Sequence, residues 1–515
     1  MHRILICLIS ICFSTCLVKL NAQTYCNLLY DNQWILGYDD DTINDDFGGS
    51  MITFFPEFRI ERKFKTFDQI FTFASINNRS GSLLLSSNGC DIFNADGDVI
   101  SGEDGINPGE THDLYCDDNE GYPGIHNMFF LPDSYDSSLY YLVHISETYN
   151  RAPNAPFLVQ HEHFYITSIR QSPENNELEV IEKNKIVFTD TGMIGQPTTA
   201  VKHANGLDWW MITPDRWSNG FNTILLGQSG ANYLGKQYIG LPTIPRADGG
   251  QGKFSPDGSH FAWYQPRNGL FFYDFDRSSG MLSNFRHVDV PVGADLVTGG
   301  LEFSPQGRFL YVNHYFSLYQ VDVLAEDLQA SLTHIADYDG FADPSFLYTI
   351  FLYMERTPDK RIIMNPRYSS QYFHIIQEPD KKGTDCRFEQ HAFKLPTFNY
   401  LTIPHFPNYR LGALGEPMCD SLIVSADPPH LPVMDKLYRL YPNPAQSILY
   451  VQPLDSELPP VTSVFLVDVL GKGRRMEFSP EMDISTIPAG IYFLFLFDKN
   501  DMILQKSTLV ILEKN

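Results

Sequence analysis

The sequence predicts an all-β protein: a six- or seven-bladed β-propeller followed by a small Ig-like β-sandwich. Three observations predict it. Between about residues 30 and 425, apolar and aromatic runs of four to eight residues alternate with Gly, Pro, Asn, Asp and Ser clusters, and no long segment keeps a helical period. Within that region a turn-then-strand unit recurs about every fifty residues. Beyond a Pro-rich stretch, about 80 residues carry seven or so further short strand patterns.

Residues 1–23 read as an export signal. Arg3 gives a positive start, Ile4 to Val18 is almost wholly apolar, and Leu20-Asn21-Ala22 offers a cleavage site. The apolar run is shorter than the ~20 residues that a spanning helix needs. Cys16 follows Phe13-Ser14-Thr15, a poor match to a lipoprotein signal. No other stretch is long and apolar enough to span a bilayer, so the mature chain is expected to be soluble.

The next domain, 24–425, is where the repeat lies. Phe254-Ser-Pro-Asp-Gly258 precedes the strand-like His260–Tyr264, and Phe303-Ser-Pro-Gln-Gly307 precedes Phe309–Asn313. An aromatic ends one strand, the Ser-Pro-x-Gly tetrad turns the chain, and the return strand pairs antiparallel. Weaker copies fall at Gly81, Ser138, Gly206 and Lys360. Six repeats, each with room for four short strands, are the signature of a propeller. A seventh is expected from Trp34-Ile-Leu36 joined with the segment Tyr400 to Arg410, which would close the ring without a free edge. Residues 254–258 and 303–307 resemble the blades of WD-repeat-like bacterial propellers. Ser86–Cys90, Asn205–Trp210 and Phe406–Gly412 extend the resemblance to secreted propellers of the Bacteroidetes. That resemblance implies a fold and no particular activity.

A linker is expected at 426–436, around Asp427-Pro-Pro-His-Leu-Pro432, and a last domain at 437–515. In that domain Tyr441-Pro442-Asn443-Pro444 opens the first strand, Val467 to Gly471 is a strand and turn, and Pro488-Ala489-Gly490 leads into Tyr492. With Lys506 in the last strand, these motifs resemble the type A C-terminal sorting domain of the type IX secretion system. The resemblance implies export across both membranes to the outer surface or beyond. It makes the secretion machinery a partner, and it implies either release or attachment to surface lipopolysaccharide. A few polar residues past Leu512 depart from the usual apolar end.

Net charge is −25, and loss of Arg3 and Lys19 with the signal would take it to −27. A surface this acidic repels nucleic acid and anionic lipid. Five cysteines remain in the mature chain. Proximity pairs Cys90 with Cys116 and Cys386 with Cys419 and leaves Cys26 over, although spacing does not fix connectivity. No CxxC pair suggests structural zinc.

Signals for chemistry are few. His161-Glu162-His163 places two imidazoles on one face of a strand with no accompanying HExxH helix. Asn94-Ala-Asp-Gly-Asp98 with Glu103 and Asp104 resembles a calcium loop, but its Gly comes one place too early and a hairpin tip explains it. Asp39-Asp-Asp41 with Asp45 and Asp46 reads as a solvated loop, so calcium is the one cofactor with any motif behind it. Trp209, Trp210 and Trp217 are expected between blades rather than on a carbohydrate-binding face. No phosphate loop, dinucleotide fingerprint or Gly-x-Ser-x-Gly elbow is present, so no catalytic residue is assigned. The expected function is a non-enzymatic binding or scaffold module for an unknown extracellular ligand. The alternative is a secreted hydrolase or lyase acting on polysaccharide or peptide.

Overall fold

The computed structural model describes residues 25–40, 44–102, 104–116, 121–149, 159–216, 218–243, 249–292, 298–343, 347–416, 438–454, 460–468, 473–499 and 503–512. The chain divides into two compact units after Leu422. Among the described residues no helix is long and apolar enough to cross a membrane.

The larger unit is a β-propeller of seven sheets that follow one another in the sequence, at 33–63, 74–94, 128–189, 199–238, 251–288, 301–337 and 351–399. The first two sheets have three strands and the other five have four, each strand antiparallel to its sequence neighbour. The turns at Gly81, Ser138, Gly206, Gly258, Gly307 and Lys360 all join the first strand of a sheet to its second. The repeat read from the sequence is therefore in the correct register for blades two to seven. Gly258 (φ 72) and Gly307 (φ 77) sit in the left-handed region, which explains why glycine ends both tetrads.

First strands face the centre and pack against the first strands of adjacent blades, as Gln251–Phe254, Leu301–Phe303 and Phe351–Arg356 do. Large side chains seal the joints. Trp209 donates its indole N–H to Pro132 O of the blade before (3.2 Å), and Trp210 donates to Arg277 O of the blade after (2.8 Å). Both rings are buried, as expected for residues between blades, while Trp217 lies outside the described residues.

Ring closure differs from the expectation. Trp34–Leu36 belong to Gln33–Gly37, but the sheet they enter is made of three strands that all come from 33–63. Residues 400–410 join no sheet. Pro404 and Pro407 remove two backbone donors from this segment, which prevents it from adding a regular ladder. The last blade instead meets the first through Phe398 N to Asp46 O (2.8 Å), Gly37 N to Asn399 Oδ1 (3.1 Å) and the Ser50–Thr397 hydroxyl pair (2.7 Å).

The smaller unit is a sandwich of seven strands between Tyr438 and Ile511. Three strands, Tyr438–Tyr441, Ile448–Pro453 and Glu481–Asp483, form one sheet. Ser463–Asp468, Gly473–Glu477, Gly490–Phe497 and Ile503–Ile511 form the other. Alternate residues such as Leu449, Val451, Val464, Leu466, Leu494 and Leu496 are buried and make its core.

Cys90 and Cys116 are disulfide-bonded, as proximity suggested. The second pairing is corrected, because Cys386 is a free, fully buried thiol and Cys26 is disulfide-bonded. Cys386 ends a tight turn and packs among Tyr311, Phe351 and Ile376, so the fold holds its sulfur inside an apolar cluster. Cys419 lies outside the described residues.

Candidate functional site

In a propeller the channel between the first strands is the natural place for a site. Here the chain itself passes through it. Thr402 donates its hydroxyl to Gln69 O (3.0 Å), just ahead of the second blade, and His126, just ahead of the third, bonds Ile403 O (3.2 Å). His405 bonds Thr198 O ahead of the fourth blade (2.9 Å), and Tyr409 donates to Phe130 O (2.9 Å). Asn408 then reaches Pro256 O in a turn on the far side of the fifth blade (2.7 Å). Residues 402–410 thus run from one face of the ring to the other and touch several blades. Phe406 packs on Trp34 with ring centroids 6.0 Å apart.

Beside this segment lies a buried charge cluster. Lys253, Glu302 and Glu355 stand on the first strands of blades five, six and seven, with Lys253 Nζ bonded to Glu355 Oε2 and 3.1 Å from Glu302 Oε2. All three side chains are nearly inaccessible. Burial pushes the Glu355 carboxyl up to about 8; Lys253 pulls against that shift and Glu302 adds to it. Burial works against the Lys253 ammonium, but the two carboxylates more than offset it, so its pKa is raised. Sequence reasoning missed this cluster although a signal was present. Lys253, Glu302 and Glu355 each stand immediately before the residue that opens a turn motif, Phe254, Phe303 and Arg356. That repeat position faces the channel three times in succession.

The channel's mouth on the first-to-second turn face carries two concavities. One, between blades five to seven, is lined by Asp31, Glu355, Arg356, Lys360, Phe406 and Arg410, with Pro256, Pro305, Pro358 and Pro407 as apolar walls. Asp31 and Arg410 form a bidentate pair there, both contacts at 2.6 Å. The other, over blades two to four, is lined by Tyr25, Arg79, Ser134, Lys202, Leu207 and Glu416 among others. Lys202 donates to Leu207 O (2.9 Å) and lies 3.9 Å above the Trp209 ring centroid. Burial lowers its pKa to about 7 against the pull of Asp133 and Asp208.

The other sequence candidates fall elsewhere. His161 is buried beside Glu147 (3.3 Å), whereas the half-exposed His163 bonds Thr189 (2.9 Å), so the two imidazoles serve different partners. Asn94 Oδ1 accepts from the backbone of Asp96 (3.0 Å) and Asp98 (2.9 Å), which is the geometry of a hairpin tip; Glu103 lies outside the described residues. Asp40 is taken by Arg62 (2.8 Å) and the Lys65 backbone (2.6 Å), and Asp41 lies outside the described residues. Among the described residues no three His, Cys, Asp or Glu groups converge as metal ligands. Ser259 lies 2.7 Å from His260 Nδ1, and His260 Nε2 lies 3.5 Å from Asp274. The Ser259 hydroxyl also donates to Asp257 (2.7 Å), and Asp274 is engaged by Arg286, so the three do not act as an isolated relay.

In the sandwich, Asn443 Oδ1 accepts from Val510 N (2.9 Å), and Ala445 N donates to Val510 O (2.8 Å). The Tyr441–Pro444 motif thereby joins the first strand to the last. Tyr492 OH donates to Pro488 O (2.9 Å), which ties Pro488-Ala489-Gly490 to the strand it opens. Gly471 lies outside the described residues, as does the Lys506 side chain.

Residues 439–511 match the family model described as a secretion system C-terminal sorting domain. None of the curated proteins matches the sequence. Among solved structures, the chain is similar to a putative 6-phosphogluconolactonase from Bacteroides uniformis, at 12% identity over 93% of this chain and 99% of that one, TM-score 0.36. It is similar to PorZ, a surface component of the type-IX secretion system of Porphyromonas gingivalis, at 10% identity over 90% and 68%, TM-score 0.30. A third is a periplasmic gluconolactonase of Pseudomonas aeruginosa, at 13% identity over 75% and 85%, TM-score 0.29. The sorting domain marks the chain for export to the cell surface or secretion through the type IX machinery.

Proposed function

We propose that the exported propeller is a binding module, and that its binding face is the one formed by the first-to-second strand turns. The observation that carries this reading is the pair of concavities around the channel mouth on that face, each built by several blades. Leu207 and Leu414 stand exposed beside them, while the passage of residues 402–410 through the channel leaves the face, rather than the bore, to meet a ligand. The buried carboxylates support the same reading, because Glu302 and Glu355 are both engaged by Lys253 and nearly inaccessible. One observation favours the hydrolase or lyase alternative. Glu355, whose pKa burial raises, is among the residues lining a pocket, and raised carboxyl pKa values are found in general acids.

The test screens the full secreted chain on glycan and extracellular-peptide arrays, then repeats each hit with Leu207→Asp and Leu414→Asp. Leu241→Asp and Phe316→Asp, exposed at the opposite face, serve as controls. The reading expects at least a tenfold loss from the first pair only. Equal loss from both pairs, or turnover of an arrayed substrate, would overturn it.

A further inference from the structure

We infer that the concavity over blades two to four captures a small hydroxylated aldehyde as a reversible imine, with Lys202 Nζ as the nucleophile. The inference rests on the reading of that face as a binding face, and adds the chemistry of one site on it.

Lys202 is buried without a counter-ion. Only 5% of it is exposed, and among the described residues its nitrogen has a hydroxyl, a backbone carbonyl and an indole ring for neighbours, with no carboxylate at ion-pair distance. Lys253 shows how a buried lysine is held for structure: two carboxylates clasp its ammonium and its pKa rises. Lys202 goes the other way. Burial takes it down to about 7, with Arg277 adding to the shift and Asp133 and Asp208 pulling against it. Near neutral pH a large share of this side chain is therefore a free amine, the form that attacks a carbonyl.

The nitrogen is also placed to meet one. Leu207 O (2.9 Å) and the Trp209 ring, its centroid 3.9 Å away, occupy two of its sides, and the third meets the Ser134 hydroxyl. Ser134 is half-buried and lines the same concavity, so Nζ reaches the cavity beside it. The cavity's volume of about 660 Å³ suits a small molecule. Leu28, Tyr30 and Leu207 supply apolar walls, while Arg79 and Glu416 supply a donor and an acceptor. That mixture fits a short carbon chain carrying hydroxyls.

The step balances without a co-reactant. The neutral Nζ attacks the carbonyl carbon, the C=O π pair moves to oxygen, and that oxygen takes a proton, which the Ser134 hydroxyl can relay. The carbinolamine then loses water as the nitrogen sheds its protons, leaving C=N in place of C=O. Nothing is oxidised or reduced.

Treatment of the full secreted chain with glycolaldehyde and cyanoborohydride, followed by peptide mapping, tests the assignment. Cyanoborohydride supplies the hydride that fixes an imine as a secondary amine. At pH 7 Lys202 should label at least tenfold faster than the exposed Lys185, because an ordinary lysine, with a pKa of about 10.4, is almost wholly charged there. The ratio should shrink toward pH 9 as ordinary lysines lose their protons. Lys65 is the control for burial alone. Burial lowers it too to about 7, but it is bonded to Gly37 O (2.6 Å) and Gln69 Oε1 (2.7 Å) and borders neither concavity, so it should stay unlabelled. Lys202 labelling no faster than Lys185, or equal labelling of Lys65, would overturn the inference. The two readings fail separately. Array hits lost in Leu207→Asp with an unreactive Lys202 sink this site alone. A reactive Lys202 with equal array losses from both variant pairs keeps this site and sinks only the assignment of the face.

Discussion

His405, carried through the channel by the chain's last passage, lies ring against ring with His126, just ahead of the third blade, centroids 5.3 Å apart and planes within 15°. Each commits Nε2 to a backbone carbonyl, and the Nδ1 of each is buried without a partner. Burial, with Lys253 nearby, pushes His126 down to about 3 and holds His405 well below the ordinary imidazole value. Burial likewise lowers His144 to about 3 and His374 to about 4.

The pH dependence of stability follows from these four imidazoles. Their folded pKa values lie below the unfolded value of about 6.5, so the unfolded chain takes up protons first as pH falls. Their contribution is complete above about 6.5 and is lost as pH falls, down to about 4 for His374 and about 3 for His126 and His144, each histidine adding a slope of about 1.4 kcal/mol per pH unit. Urea denaturation between pH 7.5 and 4 should show a steep loss, and His126→Phe should flatten it. A midpoint that does not move across that range would contradict the burial of these rings.

Asp31 and Arg410 tie the chain's start to the end of its channel passage, and both side chains are largely buried. Removing one partner leaves the other charge desolvated and unpaired, at a cost of about 3–5 kcal/mol. Arg410→Ala and Asp31→Ala should each lose an amount in that range by chemical denaturation. The double variant should lose clearly less than the sum. Additive losses would mean that the pair is not coupled.

Most of the ring was legible because its signal is local. An aromatic, a Ser-Pro tetrad and a left-handed glycine at 254–258 and 303–307 specify a turn between two strands whatever lies around them. The channel passage was harder to read. Residues 400–410 are apolar enough to suggest a strand, but Pro404 and Pro407 decide otherwise, and only the assembled ring shows where such a segment is buried. The Lys253–Glu302–Glu355 cluster was hidden for a related reason. Its members lie about fifty residues apart, and their convergence depends on blade geometry rather than on spacing along the chain. The leftover thiol was misassigned because proximity in sequence says nothing about which sulfur the core encloses.

Cysteine chemistry gives the next prediction. The Cys90–Cys116 bridge spans 26 residues, and its loss should cost about 3 kcal/mol in the loop-entropy account. Non-reducing peptide mapping should recover this bridge, a bridged Cys26 and a thiol at Cys386. Cys386 should resist a thiol reagent in buffer and react at once in denaturant; prompt labelling of the native protein would contradict its burial.

Asn443 supplies the last prediction, because it links the sorting domain's motif to that domain's fold. Its side-chain oxygen accepts from Val510 N, so the opening Tyr441–Pro444 segment is fastened to the final strand. Asn443→Ala removes an exposed hydrogen bond whose donor water can then satisfy, at about 0.5–1.5 kcal/mol. The sandwich and the propeller have separate cores, so the loss should appear in the melting of the sandwich and leave that of the propeller unchanged. In cells, deleting 438–515 should stop the chain inside the outer membrane, and Asn443→Ala should reduce the surface fraction without abolishing it. Fractionation with antibodies to the propeller reads both outcomes. Surface delivery by the deleted chain would show that export does not depend on this domain.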